Sequence, residues 1–180
     1  MLKVLSSPQG TDIFSKSSSN YLIHEWSRAP NLSNFSYRMA SRDVHGEPSI
    51  TTSTKFIHVS FTNSKKELCH LQINRNSPKE SKHRVLAQNV NQHISLSSCC
   101  SGNEICIYFI DGEGKLMESK LKAGEDKGDQ KRVIDYENVK KSMLKAIETQ
   151  NGESLIIYKK EESLCWMSPK GGNGVAKNNL

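Results

Sequence analysis

Hydrophobic and polar residues alternate in short runs along the chain, and these runs come in pairs around polar or glycine-containing loops. The clearest pair lies within 104–121, where Ile105, Ile107 and Phe109 occupy alternate positions and a second run begins at Leu116. Alternation with a period of two is typical of a half-buried β-strand, and two such runs around a short loop predict a β-hairpin. The sequence therefore predicts hairpins as its basic element.

The hairpins recur at a regular interval. The leucines that begin the second strand of each hairpin are separated by 46, 48 and 48 residues: Leu22, Leu68, Leu116 and Leu164. With the flanking runs included, each unit holds four short strands in about 48 residues. This is the size and content of one β-propeller blade. We therefore predict an all-β, propeller-like repeat of about four four-stranded blades.

The repeat predicts a single domain over 1–180 with units at about 1–40, 48–89, 92–136 and 142–180. The polar end of the fourth unit, 169–180, is predicted to be mobile or to join a neighbouring sheet edge. One segment leaves an alternative open, because Val139, Met143 and Ile147 would share one face of an amphipathic helix over 136–150. A helix there would make the fold α+β, whereas the serine-rich equivalent segment 89–99 favours a strand.

Charge and composition narrow the classes of partner. The net charge is +6 and 35% of residues are hydrophobic, which is polar for a globular domain. The basic residues are scattered singly and in pairs, which predicts a solvated basic surface rather than a nucleic-acid interface. The sequence shows no signal peptide and no apolar run long enough to span a membrane, so we expect a cytoplasmic protein without a membrane partner.

The five cysteines point to a reducing compartment. Their number is odd and no CxxC pair occurs, which argues against a disulfide framework and against a structural zinc site. The cysteines at 69, 99, 100, 106 and 165 lie mostly in or beside apolar strand runs. We therefore expect them to be small buried hydrophobic residues, with no metal and no cofactor.

The third unit resembles a blade of the fungal fucose-specific lectins and their small bacterial relatives. The residues that carry the resemblance are Ile105-Cys-Ile-Tyr108, Asp111-Gly-Glu-Gly114 and Leu116-Met-Glu118. The resemblance implies a β-propeller that binds a sugar between adjacent blades. In that family an arginine on the second strand and a glutamate on the third clamp the sugar hydroxyls. A tryptophan or tyrosine of the next blade stacks on the apolar face of the sugar.

Carried over by position, the family's two clamp residues are mostly replaced in this chain. The arginine position corresponds to Asp12, His58, Cys106 and Ile156. The glutamate position corresponds to His24, His70, Glu118 and Trp166. The resemblance therefore implies pockets at these places that differ in chemistry from a fucose clamp.

The substituted positions are predicted to form cross-strand pairs on one sheet face, with Cβ atoms about 5 Å apart. The predicted couples are Asp12 with His24, His58 with His70, and Cys106 with Glu118. Asp12 would then orient the imidazole of His24, and His58 with His70 would bind a metal or change charge near neutral pH. The alternative interpretation is that these pairs are exposed polar residues on a half-solvated sheet. Trp26 and Trp166 are likewise each either a packing residue of their blade or a platform for a sugar.

We therefore predict a non-catalytic, lectin-like carbohydrate-binding module with diverged pockets between its blades. Seven residues are the candidate ligand-binding set: Asp12, His24, Trp26, His58, His70, Glu118 and Trp166. No catalytic motif such as GxSxG, HExxH or a P-loop is present, and a Cys–His hydrolase built on Cys99 or Cys100 with His93 has no further support.

The alternative function is a protein-interaction propeller that binds a partner chain by its face or open edge. Four blades close less readily into a ring than six, so we expect a homo-oligomer in which a second copy completes the structure.

Overall fold

The computed structural model describes residues 2–7, 10–27, 35–93, 96–125, 130–135, 141–160, 163–169 and 172–175. These residues form four four-stranded antiparallel sheets, and in every sheet the strands lie side by side in chain order. The predicted all-β repeat of four-stranded units is confirmed.

Each sheet is a simple meander of consecutive strands. Sheet 1 contains β1 (Leu2–Ser7), β2 (Gly10–Lys16), β3 (Leu22–Ser27) and β4 (Ser36–Ser41). Sheet 2 contains β5 (His45–Thr52), β6 (Phe56–Thr62), β7 (Leu68–Asn74) and β8 (Ser81–Ala87). Sheet 3 contains β9 (Ser97–Ser101), β10 (Glu104–Ile110), β11 (Leu116–Lys122) and β12 (Gln130–Asp135). Sheet 4 contains β13 (Lys141–Glu148), β14 (Ser154–Lys160), β15 (Ser163–Met167) and β16 (Asn173–Val175).

The first strands of all four sheets surround one central cavity of about 240 Å³. Equivalent positions of these strands, Lys3, Ser49, Ser97 and Lys145, line it. Three of these side chains bond to the backbone of the following sheet. Lys3 donates to the carbonyl of Ile50 at 2.5 Å. Ser49 accepts from the amide of Ser98 and Ser97 accepts from the amide of Ala146, each at 2.8 Å. The sheets are thus tied in sequence around an axis, as propeller blades are.

Alternation along the strands gives every sheet two faces, and the apolar residues of facing sheets interlock into three cores. Sheets 1 and 2 share a core that includes Phe14, Val59 and Leu71. Sheets 2 and 3 share one that includes Leu68 and Ile107. Sheets 3 and 4 share a third, which includes Tyr108, Ile156, Cys165 and Met167. The side chains of each sheet therefore fill the space between neighbouring sheets.

The observed strands test the predictions made for two segments, 136–150 and 169–180. The alternative helix over 136–150 is wrong for 141–148, which is β13; 136–140 lie outside the described residues. In the segment predicted to be mobile, Asn173–Val175 pairs with β15, while 170–171 and 176–180 lie outside the described residues. Among the residues that the structure describes, no helix is long and apolar enough to cross a membrane.

Candidate functional site: three clefts between neighbouring sheets

The candidate sites are the clefts between consecutive sheets, which we call cleft 1 (sheets 1 and 2), cleft 2 (sheets 2 and 3) and cleft 3 (sheets 3 and 4). Strand register identifies the equivalent residues in each cleft. On the third strand of the sheets the equivalent residues are His24, His70, Glu118 and Trp166. On the second strand they are Asp12, His58, Cys106 and Leu155.

The assignment of Ile156 to the arginine position is therefore wrong by one residue. Trp166 lies directly opposite Ile157, just as Glu118 lies opposite Tyr108, so Leu155 corresponds to Cys106. Ile156 instead points into the core between sheets 3 and 4. The physical reason is the shorter hairpin loop of sheet 4, which changes the residue count between the two strands.

The fourth strands of sheets 1, 2 and 3 each carry an arginine that faces the adjoining cleft. Arg38 lies opposite His24, Arg84 opposite His70 and Arg132 opposite Glu118. Sequence reasoning missed these three residues because it sought the family's arginine on the second strand. The signal was present, because the arginines are separated by 46 and 48 residues, the same steps as the leucines.

Each arginine also ties its sheet to the next one. Arg38 Nη1 donates to the carbonyl of Lys79 at 2.9 Å, Arg84 Nη2 to that of Glu125 at 3.0 Å and Arg132 Nη2 to that of Pro169 at 3.3 Å. Each acceptor lies in the connection between the third and fourth strands of the following sheet. The guanidinium groups thus bridge the outer ends of the clefts.

Sheet 4 lacks this arrangement. Gly174 lies opposite Trp166, at the position that the arginines occupy in the other sheets. A Cβ atom on Gly174 would come within 2.7 Å of Trp166 Nε1, so the indole occupies the space that a side chain would need. On this outer face of sheet 4, an indole ring therefore covers the place that a guanidinium group takes in the other sheets.

In cleft 1 an aspartate and a histidine form a buried pair. His24 Nε2 lies 2.9 Å from Asp12 Oδ1, and neither residue is exposed to solvent. The His24 ring stacks on Phe14 with centroids 4.4 Å apart, and the tilted ring of Trp26 has its centroid 5.0 Å away. Asp12 thus orients an imidazole that contacts two aromatic rings.

In cleft 2 two buried histidines form a hydrogen-bonded chain with a serine. Ser53 Oγ lies 3.0 Å from His58 Nε2, and His58 Nδ1 lies 3.1 Å from His70 Nε2. Burial, and then the positive charge of Arg84, lowers the pKa of His58 to about 4. Burial, and then His58, lowers the pKa of His70 well below its usual range. Both rings are therefore neutral at neutral pH, and the expected charge change near pH 7 is wrong.

The outer part of cleft 2 opens into a cavity of about 490 Å³. Its wall combines one aromatic ring with amide and charged groups: Phe56, Gln72, Asn74, Lys79, Glu80, Ser81, Lys82 and Gly124. The Phe56 ring lies against both sides of the cleft, since its centroid is 6.2 Å from that of His58 and it borders Gly124 of sheet 3. The amide of Gly124 donates to Gln72 Oε1 at 3.4 Å.

In cleft 3 a fully buried carboxylate is held by two donors. The hydroxyl of Tyr108 donates to Glu118 Oε1 at 2.7 Å, and Arg132 Nε donates to Glu118 Oε2. Beside this pair lies a smaller cavity of about 130 Å³, which Cys106 and Lys120 also line. The charge of the Glu118 carboxylate is therefore balanced by Arg132, and the neutral Tyr108 hydroxyl adds a hydrogen bond.

The predicted couples share a sheet face, but their members are not directly opposite one another. Asp12 lies opposite Trp26, and His58 lies opposite Gln72, so each couple is a diagonal pair. Asp12–His24 and His58–His70 are nevertheless within hydrogen-bonding distance. Glu118 instead bonds to Tyr108, because that residue is its direct cross-strand partner.

The interpretation of these couples as exposed polar residues is wrong. Asp12, His24, His58, His70 and Glu118 all have 0% of their surface exposed, and Trp26 has 8%. Trp166 is the accessible member of the predicted set at 39%. Among the described residues no group of three His, Cys, Asp or Glu side chains is placed to hold a metal ion. The buried members form the floors of the clefts, and a ligand would meet the rim residues first.

No protein-family model and no curated protein sequence matches the chain. Solved structures with the same fold are nevertheless found. The SapL1 lectin in complex with α-methyl fucoside aligns with a TM-score of 0.70 and 6% identity over 98% of this chain and 61% of the lectin chain. The BP39L lectin from Burkholderia pseudomallei aligns with a TM-score of 0.68 and 11% identity over 92% of this chain and 50% of the lectin.

A sialidase is also similar. The K499G mutant of NanB sialidase from Streptococcus pneumoniae aligns with a TM-score of 0.63 and 13% identity over 88% of this chain and 27% of the enzyme. At these identities the likeness shows the fold alone. The four sheets match the propellers of lectins and of a glycosidase, and the chain spans at most about three fifths of these proteins.

Proposed function

We propose that the chain is a non-catalytic carbohydrate-binding module and that its ligand lies in the cavity of cleft 2. The observation that carries the proposal is the composition of that cavity, in which the Phe56 ring stands beside the amides of Gln72 and Asn74. An aromatic ring packs against the CH-rich face of a sugar, while amide and charged groups form directional bonds to its hydroxyls.

The size and charge of the cavity agree with such a ligand. Its volume of about 490 Å³ falls within the range of about 300–1,000 Å³ usual for small-molecule sites. Lys79, Glu80 and Lys82 supply both donors and acceptors at the rim. The cavity of cleft 3 is smaller, and Glu118 on its floor is already bonded to Tyr108 and Arg132. The solved complex of a lectin of the same fold with a fucoside supports a sugar as the class of ligand.

Burial of the candidate reactive groups supports binding rather than bond cleavage. Sialidases use a tyrosine as nucleophile, and in cleft 3 Tyr108 bonds to Glu118 in a way that suits such a role. Tyr108 is completely buried, however, and burial together with the neighbouring Cys106 raises the pKa of its phenol. A nucleophile needs access and a lowered pKa. Tyr108 has neither.

The test is a glycan array followed by titration calorimetry with the sugars that bind, with α-methyl fucoside as the first probe. We expect Phe56→Ala and Gln72→Ala each to weaken binding about tenfold, which corresponds to about 1.4 kcal/mol. The matched control is Glu104→Ala, because Glu104 occupies in sheet 3 the position that Phe56 occupies in sheet 2. A silent array on folded protein, or equal losses in Glu104→Ala and Phe56→Ala, would refute the assignment.

A second candidate is association between copies of the chain, favoured by the outward face of sheet 1. Tyr37 is 78% exposed and Leu2 69%, and Val4 and Met39 lie on the same face. In sheets 2 and 3 the equivalent face packs against the preceding sheet. Sheet 4 presents the complementary face with Trp166 and Leu164 partly exposed. We propose that sheet 1 of a second copy packs against sheet 4, which a molar mass that rises with concentration would support.

A further inference from the structure

Two cysteines lie directly opposite each other in the first hairpin of sheet 3. Cys99 on β9 pairs with Cys106 on β10, two residue pairs from the tight turn between Ser101 and Glu104. Directly opposite residues of an antiparallel pair have Cα atoms about 4.5–5.5 Å apart. This separation lies within the range that disulfides span, about 4.4–6.8 Å. The backbone is therefore already placed for a bond between the two sulfurs.

The surroundings of the two thiols differ in a way that suits stepwise reaction. A hydrogen bond from Cys99, together with the positive charge of Lys120, holds the pKa of Cys106 below its usual range. The same hydrogen bond and burial raise the pKa of Cys99, whose Sγ also lies 3.2 Å from Ser154 Oγ. Cys106 is thus the stronger candidate for the attacking thiolate, and Cys99 remains protonated beside it.

A small reagent has a route to Cys106 through cleft 3. Cys106 lines the cavity of about 130 Å³ together with Lys120 and Arg132, although only 2% of its own surface is exposed. Lys120 and Arg132 at this cavity are paired with Glu104 and Glu118, and Glu153 also lines it, so the lining has no excess of positive charge that would draw in an anionic reagent. Access is therefore restricted to small molecules that fit between sheets 3 and 4.

The other three cysteines are not placed for this reaction. Cys100 follows Cys99 in the strand and so points to the opposite face of sheet 3, where it packs against another core. Cys69 lies opposite Phe61 and Val85, and Cys165 lies opposite Tyr158 and Val175. Among the described residues, Cys99 and Cys106 are therefore the one directly opposed cysteine pair.

We infer that Cys99 and Cys106 form a reversible dithiol–disulfide site that reacts with small, uncharged disulfides. The Cys106 thiolate attacks one sulfur of the reagent, and the other sulfur leaves as a thiolate. Cys99 then gives up its proton and attacks Cys106 Sγ, which releases the second thiolate. The protein dithiol is oxidised by two electrons, and one small disulfide is reduced to two thiols. This inference does not depend on sugar binding in cleft 2.

The test uses the folded full chain in mixtures of 2-mercaptoethanol and its disulfide. Cleavage after Glu104 separates the two cysteines, so mass spectrometry finds the fragments joined if the disulfide has formed. We expect Cys100→Ser to form the linked product like the wild type and Cys106→Ser to form none. Cys99→Ser should accumulate the mixed disulfide with mercaptoethanol on Cys106, because the resolving thiol is absent. Cys165→Ser is the matched control, since it alters the same core without touching the pair.

Two results would overturn the inference. One is that Cys100→Ser, shown to be folded by near-UV circular dichroism, forms no linked fragments at any ratio of 2-mercaptoethanol to its disulfide. The other is that linkage appears only after unfolding in urea, which would show that the native hairpin does not bring the sulfurs together.

Discussion

His58 and His70 show how residues of ordinary character become special in a packed sheet. The sequence predicts that they share a sheet face, and in the structure both side chains are fully buried, with His58 Nδ1 3.1 Å from His70 Nε2. Burial penalises a charged imidazole, and Arg84 adds a positive charge nearby. Both imidazoles are therefore neutral in the folded protein at neutral pH.

This burial predicts loss of stability in mild acid. In the unfolded chain a histidine titrates near 6.5, whereas the pKa of His58 in the folded chain is about 4. Between these values the unfolded state binds more protons, so the free energy of unfolding falls as the pH falls from about 6.5 to about 4. At about 1.4 kcal/mol per pKa unit, His58 alone accounts for about 3 kcal/mol. His70 shifts in the same direction and adds to the effect.

Urea unfolding at a series of pH values from neutral to acid measures this dependence. The double variant His58→Gln/His70→Gln should have a clearly flatter profile in that window, whatever its stability at neutral pH. His93→Gln, at an exposed position outside the strands, serves as the control and should keep the wild-type profile. An unchanged slope in the double variant would contradict the assignment to these two histidines.

At the scale of the elements, the fourth strands join neighbouring sheets through Arg38, Arg84 and Arg132. The three arginines have the same position and the same kind of acceptor, but they face different partners. Arg132 faces a fully buried carboxylate, whereas Arg84 faces the neutral His70. The same substitution in the two strands therefore has different consequences.

We expect Arg132→Met to destabilise the protein more than Arg84→Met. Loss of Arg132 removes the positive charge beside the buried carboxylate of Glu118 and leaves the hydrogen bond from Tyr108. Removing one partner of a buried ion pair lowers the free energy of unfolding by about 3–5 kcal/mol. Because the Arg132 side chain is 46% exposed, the lower end of that range, about 3 kcal/mol, is expected. Arg84→Met removes a hydrogen bond to a carbonyl, worth about 1 kcal/mol.

Thermal and urea unfolding of the two variants provide the measurement. Glu118→Gln in the Arg132→Met background should recover part of the loss, because a neutral amide is cheaper to bury than an unpaired carboxylate. Equal losses in Arg84→Met and Arg132→Met would show that the buried charge does not decide the outcome.

At the scale of the whole molecule, sheets 1 and 4 each present a face that no other sheet of the described residues covers, and the two faces are unlike. Sheet 1 presents Leu2, Val4, Tyr37 and Met39, and sheet 4 presents Trp166 and Lys145. Lys145 is the equivalent of Lys3, which bonds to the backbone of the following sheet within the chain. Both faces thus repeat features that elsewhere hold two sheets together.

Association through these faces predicts a concentration-dependent mass. Sedimentation velocity should show larger species at higher concentration, and Tyr37→Ser/Met39→Ser should shift the equilibrium toward monomer by about tenfold, or about 1.4 kcal/mol. Val85→Ser is the control, because Val85 is also exposed but lies on sheet 2. A single monomeric species at every concentration, for wild type and variants alike, would reject the proposal.

The four-unit repeat can be predicted from the sequence because it depends on patterns within short stretches of the chain. Hydrophobic alternation sets the strands, and the spacing of Leu22, Leu68, Leu116 and Leu164 places one hairpin in each unit. The same spacing marks the three arginines, and the Gly102-Asn103 turn fixes the register that brings Cys99 opposite Cys106. The arginine repeat and the Cys99–Cys106 register can therefore be predicted from the sequence, although neither was among the predictions above.

Tertiary structure decided what the cleft residues do. Whether Asp12, His58 and Glu118 are exposed or buried depends on the neighbouring sheet, which belongs to another part of the chain. The apolar spacing around Val139 and Ile147 is typical of a helix, but residues 141–148 form a strand. Pairing with the neighbouring strand decides the structure there more strongly than the local periodicity does. Register and strand alternation can be inferred from short stretches of chain, whereas burial, charge pairing and cavity shape arise only where distant stretches pack together.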